Sequence, residues 1–256
     1  MPAPTNTFKK SLAAGETLFG CWLSIAEGCT AEILGNAGFD WLLIDGEHSP
    51  NDIRSIRDQV VALAKSDSHP IVRVPIGETW IIKQVLDLGV QTILVPIVET
   101  EEQARELVRA CRYPPEGTRG VGYGVSRAGG VGQYTNYGST ADAQICLLVQ
   151  VETKLGLENL DAILAVEGVD GVFIGPADLS ASMGYLGQTS HPDMQTTILR
   201  ALARIEQSGK AAGILTTDDA MIQASLDAGA RFVAVDMDIA LLLKNAKATA
   251  SKWRDR

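Results

Sequence analysis

Eight short apolar segments recur along the chain, and helix-like segments separate them. Most are nearly continuous in leucine, isoleucine and valine rather than alternating with polar residues. Such runs are typical of strands in a parallel sheet that is covered on both faces. Eight strands alternating with helices most simply close into an α/β fold of the (β/α)8 TIM barrel type. The runs are LFGCWLSI (18–25), FDWLLID (39–45), PIVRVPI (70–76), TILVPIV (92–98), ICLLVQVE (145–152), GVFIGP (171–176), AAGILT (211–216) and RFVAVDM (231–237).

The segments between these runs have helical periodicity. Residues 100–112 begin with threonine, a favoured N-cap residue, and carry acids in their first turn. Residues 79–90 and 218–230 end near glycine, as helix C-termini often do. An N-terminal helix is predicted for TFKKSLAAG (7–15), and an amphipathic closing helix for 238–256.

A doubly wound open sheet is the rival architecture. No GxGxxG follows the first strand, which disfavours the dinucleotide-binding version of that fold. With 256 residues, 46% of them hydrophobic, the chain can form one large core, so we expect residues 1–256 to be a single domain. The glycine-rich stretch 113–143 is too long for an ordinary connection. It is either a functional loop or a flexible surface insertion.

The charge pattern argues against two classes of partner. The formal net charge is -9, and Lys and Arg are scattered rather than clustered. Nucleic acids and anionic membrane surfaces both require a basic face, so neither is expected as a partner. The N-terminal residues 1–15 lack an apolar signal core, and no apolar stretch approaches the ~20 residues of a membrane span. The four cysteines form no CxxC pair, which disfavours zinc and indicates a reduced, cytoplasmic protein.

Ionisable and amide side chains follow several of the predicted strands. In a TIM barrel, catalytic groups gather at the C-terminal ends of the strands. Residues far apart in sequence would therefore meet at one mouth, and the coincidence of so many polar strand ends favours a functional site. These residues are Asp45, His48, Arg73, Gln150, Glu152 and Asp178.

Arg73 lies between valines in IVRVPI, and its side chain cannot lose its charge. Burying that charge alone would cost on the order of several kcal/mol, so an anion is expected nearby. The anion could be a substrate, a protein carboxylate or both. A structural ion pair with Asp45 or Glu99 is an equally good explanation of this residue.

The other polar residues also have structural explanations. Asp178 could cap a helix that begins at LSASMG, and Asp45 could fix a tight turn with Gly46. His48 could be an ordinary loop histidine, and Glu152 could bond to a neighbouring loop. These alternatives remain open for each residue taken alone.

Six motifs together resemble the HpcH/HpaI aldolases, which are metal-dependent, class II pyruvate aldolases whose type substrate is 4-hydroxy-2-oxoheptanedioate. The resemblance runs from about residue 8 to the C-terminus. It is specific because the motifs occur in order and at the family's spacing, whereas any one alone is weak. The motifs are LLIDGEHSPND, IVRVP, QTILVPIVET, YPPEGTRGVG, LLVQVET and GVFIGPADLSASMG.

The resemblance implies a divalent metal, Mg2+, Mn2+ or Co2+, held by Glu152 and Asp178. Backbone amides around Ala177 and Asp178, with Gln150 nearby, would hold the carboxylate of pyruvate. Two protein ligands leave coordination positions for a keto acid and water, as hard cations allow.

The resemblance also assigns the acid–base groups. Arg73 would stabilise the negative oxygen of the pyruvate enolate, as a guanidinium beside developing charge does. His48, oriented by Asp45, would handle the proton of the 4-hydroxyl group, since a His–Asp pair suits a base near neutral pKa.

Family members are hexamers, described as dimers of trimers, with the last helix exchanged between subunits. Asp87 matches an acid that reaches a neighbouring subunit's site, although a solvated helix residue is the simpler interpretation. Trp22 matches a position at the active-site mouth, or is a core aromatic. Leu215 would shape the aldehyde pocket, or is packing. Arg119 or Arg127 would contact an acidic aldehyde. The alternative for both arginines is simple exposure to solvent.

The predicted function is reversible cleavage of 4-hydroxy-2-keto acids to pyruvate, or hydroxypyruvate, and an aldehyde, which makes the protein a carbon–carbon lyase. Three alternatives remain. A Schiff-base aldolase would use Lys154, the candidate lysine near the mouth. A CoA-ester lyase of the citrate lyase type shares the acidic metal pair. A non-catalytic keto-acid-binding barrel would bind without turnover.

Overall fold

The computed structural model describes residues 1–254. Eight parallel strands pair in chain order, and the last pairs with the first to close a barrel. All eight predicted strands are confirmed, with ends that differ by a few residues. They are β1 (Leu18–Leu23), β2 (Trp41–Asp45), β3 (His69–Arg73), β4 (Thr92–Val95), β5 (Cys146–Val151), β6 (Gly171–Ile174), β7 (Ala211–Leu215) and β8 (Ala230–Met237).

Helices follow the strands and cover the outside of the barrel. The threonine predicted to cap residues 100–112 does so, because its side chain accepts a hydrogen bond from the Gln103 amide in a capping box. The helices are α1 (Thr7–Ala13), α2 (Gly28–Gly35), α3 (Ile53–Ala62), α4 (Thr79–Asp87), α5 (Glu101–Cys111), α6 (Tyr137–Thr140), α7 (Lys154–Glu158), α8 (Leu160–Leu164), α9 (Pro176–Ser182), α10 (Pro192–Gln207), α11 (Asp219–Asp227) and α12 (Asp238–Arg254).

Side chains alternate between the inside and the outside of the barrel along each strand, and this alternation gives the protein two separate hydrophobic cores. One set of strand residues, such as Leu42 and Val72, packs with the helices in the outer core. The other set, such as Leu43, Ile71 and Leu148, packs inside the barrel. Because side chains alternate along a strand, polar residues that continue the inner set must point into the barrel at the C-terminal ends of the strands.

Helix α1 closes the opposite, N-terminal end of the barrel. Phe8 is buried there and packs against Trp41 and Phe232 at ring-centroid distances of 6.3 Å and 6.2 Å. Gly20 makes room for this cluster, since a Cβ at that position would lie 2.1 Å from the Trp41 ring. The closed end leaves the C-terminal end of the barrel as its open mouth.

The stretch 113–143 contains little regular structure apart from α6 and a short 3-10 turn. Its tyrosines form a small cluster with Ala3 and Ala128, separate from the two main cores. The stretch therefore packs against the N-terminal segment instead of extending freely. No helix within residues 1–254 is long and apolar enough to cross a membrane.

Candidate active site

Arg73 and Asp45 form the centre of the polar cluster at the mouth. They are direct register partners on β3 and β2. The guanidinium donates from Nε to Asp45 Oδ1 at 2.9 Å and from Nη2 to Asp45 Oδ2 at 2.7 Å. Both side chains are buried. The structural ion pair that the sequence left open is therefore present, in the two-pronged geometry that holds a guanidinium most rigidly.

Trp22 fixes this pair from β1. Its indole Nε1 donates to Asp45 Oδ2 at 3.2 Å, and the Arg73 guanidinium lies over its ring at 5.1 Å. Burial opposes ionisation of Asp45, but the hydrogen bond and charge of Arg73 outweigh it and lower the pKa of Asp45. Trp22 is both buried and at the mouth, so the two interpretations of this residue are compatible.

Glu47 also lies in this cluster, although its position in the sequence does not predict a contact with Arg73. Its Oε2 lies 2.7 Å from Arg73 Nη1, so the guanidinium is flanked by two carboxylates. Burial raises the pKa of Glu47, although the positive charge of Arg73 opposes the rise. Its place between Asp45 and His48 in the DGEH run was the one available signal.

The ring of His48 is not held by Asp45, and this part of the prediction is wrong. Only the backbone N–H of His48 donates to Asp45 Oδ1, at 3.3 Å. The imidazole is 66% exposed, and its Nε2 lies 4.0 Å from Glu47 Oε2. Arg73 already occupies both oxygens of Asp45, which leaves Glu47 as the carboxylate nearest the ring.

Glu152 lies just past the end of β5 and is 2% exposed. Its Oε1 accepts a hydrogen bond from the Ile97 amide at 2.9 Å, and its Oε2 accepts one from Gln150 Nε2. Burial raises the pKa of Glu152 to about 7, and the negative charges of Asp178 and Glu47 add to the rise. Glu152 is therefore a buried acid that lies within the electrostatic influence of two others.

Asp178 lies in the first turn of α9 and is exposed to solvent. The helix starts at Pro176 with Gly175 as its N-cap residue, so the alternative that Asp178 caps a helix starting at LSASMG is wrong. Gly175 allows close approach of this turn to β5, because a Cβ there would lie 2.3 Å from Glu152 Oε2. The absence of a side chain at Gly175 therefore lets the start of α9, which carries Asp178, pass close to Glu152.

A cavity of about 250 Å³ opens at this end of the barrel. It suits a small molecule of a few carbon atoms. Of the predicted site residues, Glu152 and Asp87 are absent from its wall, and Glu152 lies behind Gln150 and Gly175. The predicted residues that line it are Trp22, Asp45, His48, Arg73, Gln150, Ala177, Asp178 and Leu215.

Asp87 does not reach the site of its own chain. It is the last residue of α4, which runs away from the mouth, and its Oδ1 lies 3.3 Å from Nη2 of Arg119. Arg119 is fully buried and packs over the Tyr113 ring at 4.5 Å. The interpretation of Asp87 as a simply solvated residue is wrong, and so is that of Arg119 as exposed.

Arg127 donates a hydrogen bond from Nη1 to the Leu88 carbonyl at 2.8 Å, also away from this mouth.

The sequence was compared with models of known protein families. The sequence model of the HpcH/HpaI aldolase/citrate lyase family matches residues 18–245. The chain belongs to this family.

Similar proteins agree with that assignment. The hydroxypyruvate/pyruvate aldolase of Roseobacter denitrificans is 80% identical over 254 residues, which cover 99% of each chain. The protein of the same name from Roseovarius nubinhibens is 56% identical, again over 99% of each chain. The crystal structure of an HpcH/HpaI aldolase/citrate lyase family protein from Burkholderia cenocepacia matches with a TM-score of 0.94 at 42% identity, covering 98% of this chain and 100% of that one.

The predicted family, the TIM barrel and the class of carbon–carbon lyase are therefore confirmed, since aldolases and citrate lyases both break carbon–carbon bonds. HpcH/HpaI aldolases generally depend on a divalent metal.

The site has features that suit a divalent cation. Burial, with a smaller contribution from the negative charges of Asp178 and Glu47, raises the pKa of Glu152, and a bound cation would favour its ionised form. Gln150 Oε1 is buried without a hydrogen-bond partner. Within the described part of the chain, no three His, Cys, Asp or Glu side chains are arranged to hold a metal by themselves. Two carboxylates with open positions for substrate and water fit a hard cation of this family.

Proposed function

We propose that this protein catalyses the reversible aldol cleavage of 4-hydroxy-2-keto acids to pyruvate, or hydroxypyruvate, and an aldehyde. The observation that carries the proposal is the small cavity at the barrel mouth, whose wall contains the rigidly held Arg73 guanidinium and Asp178, with the buried Glu152 next to the Gln150 side of that wall. The names of the two hydroxypyruvate/pyruvate aldolases, at 80% and 56% identity, support the same chemistry.

The keto-acid half of the substrate would lie in the cavity beside Arg73. The backbone N–H groups at Ala177 and Asp178, in the first turn of α9, are unpaired within the helix and suit a carboxylate. Gln150 is close enough to Glu152 to orient it and lines the same wall. Together these groups bind the carboxylate end and leave the keto oxygen directed at Arg73.

Glu152 and Asp178 would hold Mg2+, Mn2+ or Co2+. When bound, the cation supplies a Lewis acid beside the keto oxygen of the pyruvate half. Arg73 adds a fixed positive charge at the same oxygen, where negative charge develops as the carbon–carbon bond breaks. Asp45 and Glu47 act on Arg73 by fixing its orientation, which makes Asp45 a positioning residue.

His48 would accept the proton of the 4-hydroxyl group and return it in the synthetic direction. Its ring lines the cavity and is accessible to solvent, so it can exchange that proton with water. Its carboxylate neighbour is Glu47 rather than Asp45. A base at this position requires only hydrogen-bond reach to the hydroxyl group, directly or through one water.

A Schiff-base mechanism is disfavoured by the surroundings of Lys154. Its side chain is 68% exposed, and its Nζ lies 4.0 Å from Glu158 Oε1. Amine nucleophiles are usually desolvated or placed near another cation. Borohydride treatment in the presence of pyruvate should leave Lys154 unmodified.

The direct test is pyruvate release from racemic 4-hydroxy-2-keto acids before and after EDTA treatment. We expect activity to disappear with the chelator and return with added Mg2+, Mn2+ or Co2+. Full activity after chelation would contradict the role of Glu152 and Asp178. Metal and pyruvate binding without turnover would support the non-catalytic barrel, and cleavage of a CoA ester instead of keto acids would support the citrate lyase type.

A homohexamer, as a dimer of trimers with the last helix exchanged, also remains a proposal. In α12 only Asp238 is buried, while Ile239, Leu242 and Leu243 are more than half exposed. An apolar helix face of this kind suits the surface of a second copy of the chain. Sedimentation velocity on the protein and on a Leu242→Glu, Leu243→Glu variant would test it, with dissociation of the variant as the expected result.

Two further expectations are untested. We propose that residues 1–256 form a single barrel domain. We also propose a cytoplasmic location, which suits the four free cysteines, Cys21, Cys29, Cys111 and Cys146.

A further inference from the structure

A cavity of about 540 Å³ lies beside α1, at the rim of the closed end of the barrel. It is about twice as large as the cavity of about 250 Å³ at the mouth, and the two share no wall residue. Its wall comes from the start of the chain, from the connection between α3 and β3, and from residues 127–137 of the glycine-rich stretch. The aldol reaction proposed for the mouth therefore gives this cavity no role.

Hydrogen bonds hold the parts of this wall together. The amino group of Met1 donates to Thr135 Oγ1 at 2.9 Å, and the Asn136 amide donates to the Met1 carbonyl at 3.1 Å. On the other side of the stretch, the Ala128 amide donates to the Asp87 carbonyl at 3.1 Å. The cavity is therefore formed before any ligand arrives, as is usual for sites that bind small molecules.

Arg127 supplies the positive charge of the wall. Its Nη1 donates to the Leu88 carbonyl at 2.8 Å, and Gly89 permits this approach, since a Cβ there would lie 3.0 Å from Nη1. Within residues 1–254, no carboxylate pairs with this guanidinium. Its Nε and Nη2, the two atoms with which Arg73 holds Asp45, are left free. That edge suits a ligand carboxylate, which can accept two parallel hydrogen bonds from it.

His69 offers a second donor to the same cavity. Thr92 Oγ1 accepts a hydrogen bond from Asn6 Nδ2 at 3.0 Å, which leaves its own hydrogen for His69 Nε2 at 2.8 Å. Burial lowers the pKa of His69 to about 4, so the ring is neutral at pH 7. In a neutral ring whose Nε2 accepts, Nδ1 carries the proton. Among the described residues this N–H has no partner, so it is available to an acceptor on a ligand.

The rest of the wall combines neutral donors with apolar surface. Gln133 and Tyr134 line the cavity, and neither side chain makes a hydrogen bond within the part of the chain that the structure describes. Asp67 is the one acid among the described wall residues, so a second carboxylate on a ligand would be repelled. The apolar part of the wall consists of Pro4, Val60, Leu63, Ala64, Pro70, Ala128 and Val131.

We propose that this cavity is a second small-molecule site, and that it binds an organic monocarboxylate with an apolar body, such as an aromatic acid. The carboxylate would bind to Arg127, and the apolar body would pack between Leu63 and Tyr134. Such a ligand would join the glycine-rich stretch to the connection between α3 and β3, and would stabilise the closed end. The inference is independent of the proposed aldol function.

The test compares benzoate, benzamide and acetate by titration calorimetry at pH 7. Benzamide lacks the charge of benzoate, and acetate lacks its apolar ring. We expect benzoate to bind at least about tenfold more tightly than either, because it alone can use both the guanidinium and the apolar wall. The midpoint of thermal unfolding should rise with benzoate concentration. Equal affinity for benzamide, or no binding of benzoate up to about 10 mM, would overturn the inference.

Variants of Arg127 test the assignment of the carboxylate. Arg127→Gln should weaken benzoate binding by at least about tenfold, and Arg127→Lys should be intermediate because it keeps the charge without the fork. Tyr134→Phe, which removes one hydroxyl, should cost about two- to fivefold. Arg200→Gln is the matched control, because Arg200 is exposed on α10 and does not line the cavity.

Unfolding midpoints without ligand establish that each variant is folded. Unchanged benzoate affinity in folded Arg127→Gln would contradict the proposal.

A crystal soaked with 4-bromobenzoate locates the site directly, since bromine scatters anomalously. We expect a bromine peak between Leu63 and Tyr134, with the carboxylate against Arg127. A peak at the barrel mouth alone would reject the second site and leave the proposed aldol function intact. Loss of pyruvate release with bromine bound beside Tyr134 would reject nothing in this assignment and would add an inhibitory effect to it.

Discussion

The two ends of the barrel differ in what they bury: the N-terminal end buries mainly aromatic side chains, and the C-terminal end buries charged ones. At the N-terminal end, α1 covers the opening and Phe8 packs against aromatic rings from β2 and β8. The polar groups there are satisfied: Asn6 Nδ2 donates to the Gln91 and Gln144 carbonyls and to Thr92 Oγ1 at 3.0–3.2 Å. This end is organised as a core.

The C-terminal end is organised around charge. Arg73, Asp45, Glu47 and Glu152 are largely buried, and the pKa of Glu152 is raised to about 7. Ile97, whose amide bonds to Glu152, has a φ of 53°, which is rare for a β-branched residue. Repulsion and backbone strain of this kind reduce stability, and proteins keep them where function requires them. We therefore expect substitutions at the C-terminal mouth to lower activity and substitutions at the closed N-terminal end to lower stability.

The largest effect is expected at the acidic pair. Glu152→Gln and Asp178→Asn should each lower kcat for pyruvate release by about 10³-fold or more, because a neutral amide is a poor ligand for a hard cation. The midpoint of thermal unfolding in the absence of metal should not fall for Glu152→Gln, since the substitution removes a buried charge. Glu102→Gln, on the exposed face of α5, is the control. If these two variants lost stability but kept their kcat, the mouth would be a structural region and not a catalytic one.

The next effect is expected at the closed end. Phe8→Ala should lower the free energy of unfolding by about 3 kcal/mol, because it leaves a cavity among rings that cannot collapse. Denaturant unfolding measures this, and kcat/KM of the folded variant should be unchanged. Phe19→Ala is the matched control, as Phe19 is 38% exposed and should cost much less. A large fall in kcat/KM for Phe8→Ala would show that the two ends are coupled.

The closed end should also show a specific pH dependence. Burial lowers the pKa of His69 to about 4 from 6.5, and its Nε2 lies 2.8 Å from Thr92 Oγ1. Between these values the unfolded chain binds a proton that the folded protein does not. The contribution of His69 to stability is therefore complete above pH 6.5 and is lost as the pH falls towards 4.

His69→Gln should reduce this loss of stability, which unfolding midpoints at pH 7, 6, 5 and 4 would measure. Ser139→Ala, which changes no titratable group, should follow the original protein. An identical pH profile for His69→Gln and the original protein would show that His69 is not the group responsible.

The smallest effect is expected at Ile97. Glycine adopts a positive φ freely and keeps the N–H that bonds to Glu152, so Ile97→Gly should raise the free energy of unfolding by up to about 1 kcal/mol. Ile76 is equally exposed at 52% and lacks a positive φ, so Ile76→Gly should lower stability instead. A destabilised Ile97→Gly variant would mean that the isoleucine side chain contributes more packing than its exposure suggests.

The fold was predictable from the sequence because its signals are local. Each continuous apolar run identifies a strand on its own, and eight of them leave few ways to close a sheet. The direction of Arg73, Gln150 and Glu152 also follows from alternation along the strands, which continues the inner set of the core.

The details of the site were less predictable because each charged side chain has several possible hydrogen-bond or ion-pair partners, and the tertiary structure determines which pairs form. Asp45 could bond to either His48 or Arg73, and the register of β2 against β3 decides for Arg73. Glu47 follows a turn whose path the sequence does not specify. The pairing of Asp87 with Arg119 depends on the folding of the glycine-rich stretch, for which the sequence carries no periodic signal.

The proposed mechanism requires above all that Glu152 and Asp178 bind one cation. A crystal soaked with Mn2+ and pyruvate, and measured for anomalous scattering, tests this most directly. We predict one strong peak about 2.0–2.6 Å from a carboxylate oxygen of each acid, with pyruvate between it and Arg73. A peak elsewhere, or carboxylates more than about 6 Å apart with pyruvate bound, would contradict the account.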